Sequence, residues 1–376
     1  MIARFCSFFC LLSLLNCNQF PKPGLPSDVA YSDEPHPRNV ILMIGDGMGL
    51  TQVSAGMFRN GNKLNLEEFP VIGLHKPYSG SDLITDSAAG ATAFASGVKT
   101  YNGAIGVNMD TLPVKTILEE AEERGLATGM VTTSSIVHAT PAAFIAHEPS
   151  RELYEAIALD FMKTEIDFFI GGGMKYFAHR KTDQRNLYVD LQKKGYTVND
   201  YTRKGLSEIN LNESKNFAYF TAEDEPLAAA KGRDYLLLAS HLAVDFLHTH
   251  GGSKGFFLMI EGAQIDWGGH DNNSDYIVSE MIDFDRAIGE ILKFAREDGE
   301  TLVIVTADHE TGGFAINPGS TMDSLIAGFT TKDHTASLIP VFAFGPGSER
   351  FNGIYENTAI YTKLRQALGF EREMER

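Results

Sequence analysis

The sequence predicts an α/β protein with a doubly wound, mostly parallel sheet flanked by helices. Short apolar runs, typical of strands buried on both faces, alternate with longer segments of helical periodicity. Strands that alternate with helices in this way favour a parallel sheet covered on both sides. The predicted strands lie at residues 39–44, 128–133, 167–170, 255–260, 301–306 and 341–344. The predicted helices lie at residues 86–97, 116–124, 231–248, 273–296 and 357–368.

Two segments carry additional expectations. Residues 180–225 are polar, and they predict only short strands near Tyr196 and Phe220. The helix predicted over residues 273–296 contains many acidic side chains. We expect these acids on the solvated face of the helix, because an amphipathic helix turns its charged face to water.

The composition is that of an ordinary soluble globular protein, with 43% hydrophobic and 22% charged residues. The formal net charge of −17 argues against a nucleic-acid-binding protein, because such proteins need a basic surface. A phosphate ester would therefore require local positive charge from metal ions or from a suitably placed arginine.

Residues 1–16 have the pattern of a signal peptide, in which Arg4 precedes an apolar run over residues 5–15. That run is too short to span a bilayer. Residues 14–17 (Leu-Leu-Asn-Cys) resemble the lipobox of a bacterial lipoprotein, apart from the unusual asparagine. Cleavage before Cys17 would give a periplasmic or cell-surface lipoprotein, exported across the inner membrane and held in a membrane by lipid on Cys17. Ordinary secretion with a free Cys17 is the alternative.

A proline-rich segment follows the signal peptide. Residues 17–38 are polar and contain five prolines, which predicts an extended tether rather than a core element. The folded domain is therefore expected to occupy residues 39–376.

Three of the predicted strands are followed by side chains of the types that bind metal ions. A lone aspartate in a turn is ordinary turn chemistry, but three strand ends of this kind together indicate one metal centre. Carboxylates and imidazoles without thiolates suit zinc, and groups that offer only oxygen suit magnesium. The side chains are Asp46 after the first strand, Glu261, Asp266 and His270 after the strand at 255–260, and Asp308 and His309 after the strand at 301–306.

Asp86 and Ser87 fall at the N-terminus of the helix predicted over residues 86–97. Unpaired N–H groups and the positive end of the helix dipole favour an anion at this position. A serine there can be an ordinary N-cap. The cap is the commoner role of a lone Asp-Ser before a helix, but the serine can also be a nucleophile whose oxygen lies where a phosphate is held. The two interpretations stay open at this point.

These motifs together resemble those of the alkaline phosphatase family. Residues 85–93 (Thr-Asp-Ser-Ala-Ala-Gly-Ala-Thr-Ala) are similar to the family's nucleophile motif, and residues 308–309 (Asp-His) are similar to its paired ligand motif. Further matches follow in the family's order, and the resemblance spans residues 39–370. These matches are residues 45–49 (Gly-Asp-Gly-Met-Gly), 138–143 (His-Ala-Thr-Pro-Ala-Ala), 261–266 (Glu-Gly-Ala-Gln-Ile-Asp) and 334–335 (His-Thr).

The resemblance implies a phosphomonoesterase with the alkaline phosphatase fold, acting on small-molecule phosphate monoesters, with residues 39–376 as its catalytic domain. Ser87 would attack phosphorus and form a phosphoserine, and Arg151 would grip two phosphate oxygens with its planar fork. Two zinc ions and one magnesium ion would be the cofactors. One zinc ion would be held by Asp266, His270 and His334, the other by Asp46, Asp308, His309 and Ser87, and magnesium by Asp46, Thr140 and Glu261.

Three further side chains, His138, His147 and Trp267, are expected to lie around these ligands and support them. Taken alone, the two histidines fit equally well as structural residues with satisfied hydrogen bonds. The best-studied bacterial members of the family have aspartate at the position of His138 and lysine at that of Trp267. A neutral imidazole carries no negative charge, so we expect hydrated magnesium to bind less tightly here than in those members.

Only residues 310–333 separate His309 from His334. Many family members insert a crown-like subdomain between these two ligands, so a short or absent crown is expected in this chain. The resemblance also implies a homodimer as one arrangement of the protein. A short insertion predicts a more open mouth above the site or a weaker dimer contact.

Two other classes of function compete with this interpretation. A phosphodiesterase or a sulfatase of the same superfamily is the first, although a sulfatase needs a Cys/Ser-x-Pro-x-Arg motif that residues 86–90 lack. The second is an inactive surface lipoprotein that only binds metal. The presence of every ligand together with Ser87 and Arg151 favours an active enzyme.

Overall fold

The computed structural model of the protein describes residues 36–370. The predicted signal peptide, Cys17 and nearly all of the predicted tether lie outside these residues. Within them, no helix combines the length and the apolar character that crossing a membrane requires.

The described residues form fourteen strands and eleven α-helices, joined by loops and short 3-10 helices. The strands are β1 (Asn39–Gly45), β2 (Val71–Lys76), β3 (Ala127–Ser135), β4 (Phe168–Gly172), β5 (Thr197–Asp200), β6 (Phe217–Phe220), β7 (Phe256–Gly262), β8 (Thr301–Thr306), β9 (Glu310–Thr311), β10 (Ala315–Ile316), β11 (Ala327–Gly328), β12 (His334–Thr335), β13 (Ile339–Phe344) and β14 (Gly353–Glu356). The helices are α1 (Leu50–Arg59), α2 (Ser87–Ser96), α3 (Ile117–Glu123), α4 (Ala139–Ala142), α5 (Tyr154–Asp160), α6 (Met174–Ala178), α7 (Leu187–Lys194), α8 (Leu236–Gly251), α9 (Gln264–His270), α10 (Ser274–Asp298) and α11 (Thr358–Ala367).

Ten strands form one mixed sheet in the order β14-β2-β13-β8-β1-β7-β3-β4-β6-β5. Its pairs are parallel except where β13 runs antiparallel to both of its neighbours. β1 lies at the centre between β7 and β8, and all seven of its residues are buried. The predicted doubly wound, mostly parallel α/β fold is therefore confirmed.

The two faces of the sheet are covered by separate hydrophobic cores. Alternate residues of β1 point to opposite sides, as the period of two in a strand requires. Val40 and Leu42 pack in the core that contains Phe94 of α2. Ile41 and Met43 pack in the opposite core, which is built largely from α8 and α10. A strand buried on both faces needs a continuous apolar run, and this is the pattern that β1 shows in the sequence.

The strands at one edge of the sheet were not predicted. β2 (Val-Ile-Gly-Leu-His-Lys) and β14 (Gly-Ile-Tyr-Glu) are only partly buried, so neither has the continuous apolar run of a central strand. The short strands expected near Tyr196 and Phe220 are present as β5 and β6.

The expectation that the acids of the helix after residue 273 lie on its solvated face was wrong for several of them. Glu280 and Asp283 of α10 are buried, and both accept from the guanidinium of Arg233, at 2.7 and 2.6 Å. Asp285 is also buried, and it accepts from the backbone N–H of Asn65 at 2.9 Å. Periodicity alone does not reveal such partners, because they come from distant parts of the chain.

Replacement of Arg233 by methionine should therefore destabilise the protein strongly. The change removes the partner of two buried carboxylates, and breaking a buried ion pair costs about 3–5 kcal/mol. Urea unfolding followed by circular dichroism measures the shift in midpoint. Arg185→Met is the control, because Arg185 pairs with Asp190 at the surface. Equal shifts for the two variants would contradict the structural role of Arg233.

Candidate metal centre

The candidate site lies at the carboxyl ends of the three central strands β1, β7 and β8. The register places Ile44 of β1 beside Glu261 of β7 and beside Thr306 of β8. Because parallel strands end at the same edge, Asp46, Glu261 and Asp308 converge there. All three carboxylates are fully buried.

A first group of possible ligands consists of Asp46, Asp308 and His309, whose ligand atoms lie close enough to share one ion. Nε2 of His309 is 3.5 Å from Oδ1 of Asp46 and 3.1 Å from Oδ2 of Asp308. The imidazole and both carboxylates are entirely buried. A mixture of one nitrogen and several oxygen ligands suits zinc.

A second group consists of Asp266, His270 and His334. Asp266 and His270 are four residues apart on α9 and therefore lie on one face of the helix, with Nε2 of His270 3.3 Å from Oδ2 of Asp266. β12 pairs with β9 and brings His334 to the same place, with its Nε2 3.6 Å from Oδ1 of Asp266 and 3.2 Å from Nε2 of His270. The rings of His309 and His334 stack with centroids 3.5 Å apart, so the two groups adjoin each other.

A third group offers only oxygen. Glu261 is held through one carboxylate oxygen by the hydroxyls of Thr132 and Ser134. Its other oxygen has no hydrogen-bond partner, and the same is true of both oxygens of Asp46 and of the hydroxyl of Thr140, although all are buried. Buried polar atoms are nearly always satisfied, so these unpaired oxygens fit the coordination of cations.

Burial and neighbouring charges shift the pKa values of these side chains strongly. Burial, reinforced by the Asp308 charge, raises the pKa of Asp46 well above its ordinary value. Burial raises the pKa of Glu261 to about 7. The hydrogen bond with Asp266 raises the pKa of His270 to about 9. A bound cation would remove the reason for the raised carboxylate pKa values, because it favours the ionised form.

Ser87 is the first residue of α2 and is not its N-cap. The cap is Asp86, whose Oδ1 accepts from the backbone N–H of Ala89 at 3.0 Å. The Ser87 hydroxyl is therefore free of the capping role, and it lies 3.3 Å from Nε2 of His309. The structure thus decides against the interpretation of Ser87 as an ordinary cap.

Arg151 faces the start of α2. Its Nη1 donates to Oδ2 of Asp86 at 3.1 Å, and its Nη2 lies 3.4 Å from Nε2 of His138. The ring of His138 is partly buried and meets Trp267 edge-on at a centroid distance of 6.2 Å. Burial, together with the charge of Arg151, lowers the pKa of His138 to about 3, so this imidazole is neutral near pH 7.

Among the predicted site residues that the structure describes, His147 is the one that lies away from the possible ligand groups. Its ring contacts the carbonyl of Gly106 at 2.6 Å and the carboxylate of Glu119 at 2.9 Å, and both are outside the centre. The structural interpretation of this histidine is the one that the geometry supports.

Sequence reasoning missed Thr311, which joins the first two ligand groups. Its hydroxyl donates to Oδ1 of Asp266 at 2.5 Å and lies 3.2 Å from Nδ1 of His309. Little in the sequence marks Thr311 as part of the site, because threonine is a common residue in strands. Thr311 therefore helps to orient one side chain of each group, His309 in the first and Asp266 in the second.

A cavity of about 740 Å³ opens above these groups. Ser87, Arg151, Asp266 and His334 are among the residues that line it, so the serine, the arginine and two of the possible metal ligands face one cavity. Residues 310–333, between the two ligand histidines, form only β9 and the small β10–β11 ribbon. The predicted shortness of the crown segment is thereby confirmed.

The fold and this centre are those of a metal-dependent hydrolase. A sequence profile of the family described as Alkaline phosphatase matches residues 37–326. The chain belongs to the alkaline phosphatase family, whose members are phosphomonoester hydrolases. The resemblance seen in the sequence motifs is confirmed.

Individual relatives agree with this assignment. Alkaline phosphatase 4 of Bacillus subtilis is 36% identical, with 87% of each chain covered. The solved structure of the alkaline phosphatase from the Antarctic bacterium TAB5 is 45% identical, has a TM-score of 0.84, and covers 90% of this chain and 99% of its own. A TAB5 variant with aspartate in place of one histidine has magnesium bound in its M3 site; it is 44% identical, with the same TM-score and coverage.

The metal-free protein should lose stability as the pH rises from 6.5 to 9. Folding raises the pKa of Glu261 from 4.5 to about 7, so the destabilisation from ionising this carboxyl in the folded state accumulates between pH 4.5 and 7 and contributes only at the start of the range from pH 6.5 to 9. It raises the pKa of His270 from 6.5 to about 9, so the stability contributed by its charged form is lost as the pH passes 9. Both shifts therefore lower stability with rising pH.

Melting temperatures of the chelator-treated and the zinc- and magnesium-loaded protein, measured from pH 6.5 to 9, test this expectation. The loaded protein should show a flatter profile, because cations stabilise the deprotonated ligands. His270→Gln should remove part of the slope in the metal-free protein. Parallel profiles for the loaded and metal-free forms would show that these side chains do not titrate together with a metal.

Proposed function

We propose that the protein hydrolyses phosphate monoesters through a phosphoserine on Ser87. The observation that carries the proposal is the position of the Ser87 hydroxyl, which is relieved of capping by Asp86 and lies 3.3 Å from Nε2 of His309. A serine hydroxyl is a weak nucleophile near neutral pH, so it needs activation by a base or a metal ion.

Two zinc ions and one magnesium ion are the proposed cofactors. Zinc would be held by the two histidine–carboxylate groups, the one with Asp308 and the one with Asp266, and Ser87 would complete the first. Magnesium would be held by Asp46, Glu261 and Thr140, whose unpaired buried oxygens support the assignment. When bound, such ions lower the pKa of coordinated oxygens and stabilise charge on a phosphoryl group.

The side chains of the protein supply the nucleophile and hold the phosphoryl group in position. Oγ of Ser87 loses its proton and attacks phosphorus, a new O–P bond forms, and the ester P–O bond breaks, with the leaving oxygen taking up a proton to depart as the alcohol. Water then attacks the phosphoserine, frees inorganic phosphate and returns the serine hydroxyl. Arg151 presents its planar guanidinium to two phosphate oxygens. Asp86 helps to orient this guanidinium, because its Oδ2 accepts from Nη1 of Arg151 at 3.1 Å.

Replacement of Ser87 by alanine should abolish the covalent intermediate and reduce turnover by orders of magnitude, because the nucleophile is lost. The wild type, quenched in acid during turnover of a 32P-labelled monoester, should carry label on the peptide that contains Ser87. Ser96→Ala, in the same buried helix, is the control, since Ser96 donates only to the carbonyl of Thr92. Turnover of Ser87→Ala equal to that of the wild type would refute the nucleophile.

Turnover of a phosphate monoester, a phosphate diester and a sulfate ester of the same alcohol distinguishes the proposed function from its alternatives. A phosphodiesterase would prefer a diester of the same alcohol, and a sulfatase would prefer its sulfate ester. An inactive metal-binding protein would turn over none of the three while still retaining zinc.

Replacement of His138 by aspartate should tighten magnesium binding by about 10–100-fold, the usual size of effects from groups around metal ligands. The His138 imidazole is neutral near pH 7, because its pKa is lowered to about 3, and a carboxylate in its place would add a negative charge near the third group. The TAB5 variant with aspartate for one histidine supports this expectation. Magnesium titration by calorimetry gives the affinity, with His147→Gln as a control outside the centre. Superimposable titrations of the wild type and His138→Asp would contradict it.

We also propose that Cys17 carries the lipid that anchors the protein at the periplasmic side or the cell surface. The lipobox-like residues 14–17 and the tether that follows support this localisation. Cys17→Ala should abolish labelling by a fatty acid and release the protein from the membrane fraction, since acyl chains supply the binding energy. Unchanged association with membranes would refute the anchor.

A further inference from the structure

The cavity above Ser87 has a rim that differs in character from its floor. The floor presents the serine, Arg151 and the ligand side chains. The rim includes Leu83 and Ile84, which are 72% and 38% exposed, and the partly exposed ring of Trp267. Large aliphatic side chains that are exposed to solvent beside a cavity offer an apolar surface that a ligand can contact.

The loop that carries Leu83 and Ile84 is fixed by hydrogen bonds rather than free to fold away. Asn102 is its main support, because its Nδ2 donates to the carbonyl of Ile84 at 2.9 Å and its Oδ1 accepts from the N–H of Asp86 at 3.2 Å. The N–H of Asn102 also donates to Oγ of Ser81 at 3.2 Å. The two aliphatic side chains are therefore presented next to the nucleophile before any substrate arrives.

The charges at the rim are negative. Asp82 and Asp333 line the cavity and are exposed. Among the described residues that line the cavity, Arg151 is the one arginine or lysine, and it lies beside Asp86 at the start of α2. A second phosphate group outside the floor would thus meet carboxylates and no compensating lysine or arginine in that lining.

We propose that Leu83, Ile84 and Trp267 form a leaving-group subsite that selects monoesters of apolar, uncharged alcohols over polyanionic esters. The inference rests on the proposed function, since it assumes that the phosphoryl group lies between Ser87 and Arg151. With the phosphoryl group on the floor, the alcohol portion extends along the rim, where its hydrocarbon is removed from water by these three side chains.

A series of straight-chain alkyl phosphates tests the subsite. Ethyl, butyl and hexyl phosphate have nearly the same leaving-group chemistry, so differences in kcat/KM report binding of the chain and not intrinsic reactivity. The wild type should show a rise in kcat/KM of roughly tenfold from ethyl to hexyl phosphate, because partial burial of the added methylenes is favourable.

The double variant Leu83→Ser/Ile84→Ser should flatten this rise, so that kcat/KM differs little between ethyl and hexyl phosphate. Leu237→Ser, an exposed leucine of α8 outside this cavity, is the matched control and should retain the full rise. An unchanged rise in the double variant would overturn the subsite. A flattened rise accompanied by a change in oligomeric state on sedimentation would also overturn it, since a second copy would then be the occupant of these side chains.

The proposed discrimination against polyanionic esters by the acidic rim is tested separately. Asp82→Asn should raise kcat/KM for 1,3-propanediol bisphosphate relative to propyl phosphate about threefold at low salt, and the gain should vanish at high salt. An unchanged ratio would show that the rim does not discriminate by charge and would overturn that component. Failure of the proposed function looks different, because the zinc- and magnesium-loaded wild type would then release no phosphate from any ester of the series.

Discussion

Repulsion among buried carboxylates is the constraint on which the rest of this centre depends. The parallel pairing of β1 with β7 and β8 forces Asp46, Glu261 and Asp308 to one edge, where water is excluded. Like charges in such a place interact strongly, and His309 pairs with Asp308, whereas both oxygens of Asp46 and one oxygen of Glu261 have no hydrogen-bond partner. The burial of the apolar strands stabilises the fold against this repulsion, and the family to which the chain belongs is metal-dependent.

The central sheet could be predicted because both of its faces are covered. Residues 39–44 and 301–306 are short, continuous apolar runs, and runs of this length are typical of strands buried on both sides. β2 and β14 could not be predicted in the same way, since their position at the sheet edge leaves one side in contact with solvent. The burial of Glu280 depends on Arg233, and no local pattern connects the two.

The site was predictable where residue type alone restricts the chemistry. Asp308 and His309 directly after a strand have few structural reasons to occur together, whereas Ser87 has an ordinary alternative as a cap. That alternative is removed only when Asp86 is seen to bind the N–H of Ala89. Thr311 and the different surroundings of His147 also emerge only from the folded arrangement, because their partners are distant in sequence.

The pairing of β12 with β9 has a consequence for the order of folding. This two-residue ribbon and a hydrogen bond between Nδ1 of His334 and the carbonyl of Thr85, 249 residues earlier, hold His334 beside Asp266 and His270. Contacts between residues that are distant in sequence form slowly, because closing the intervening loop reduces the conformational entropy of the chain. An incompletely folded chain would therefore bring some of these carboxylates together without His334. If these side chains hold metal ions as proposed, tight binding would require a chain that is completely folded.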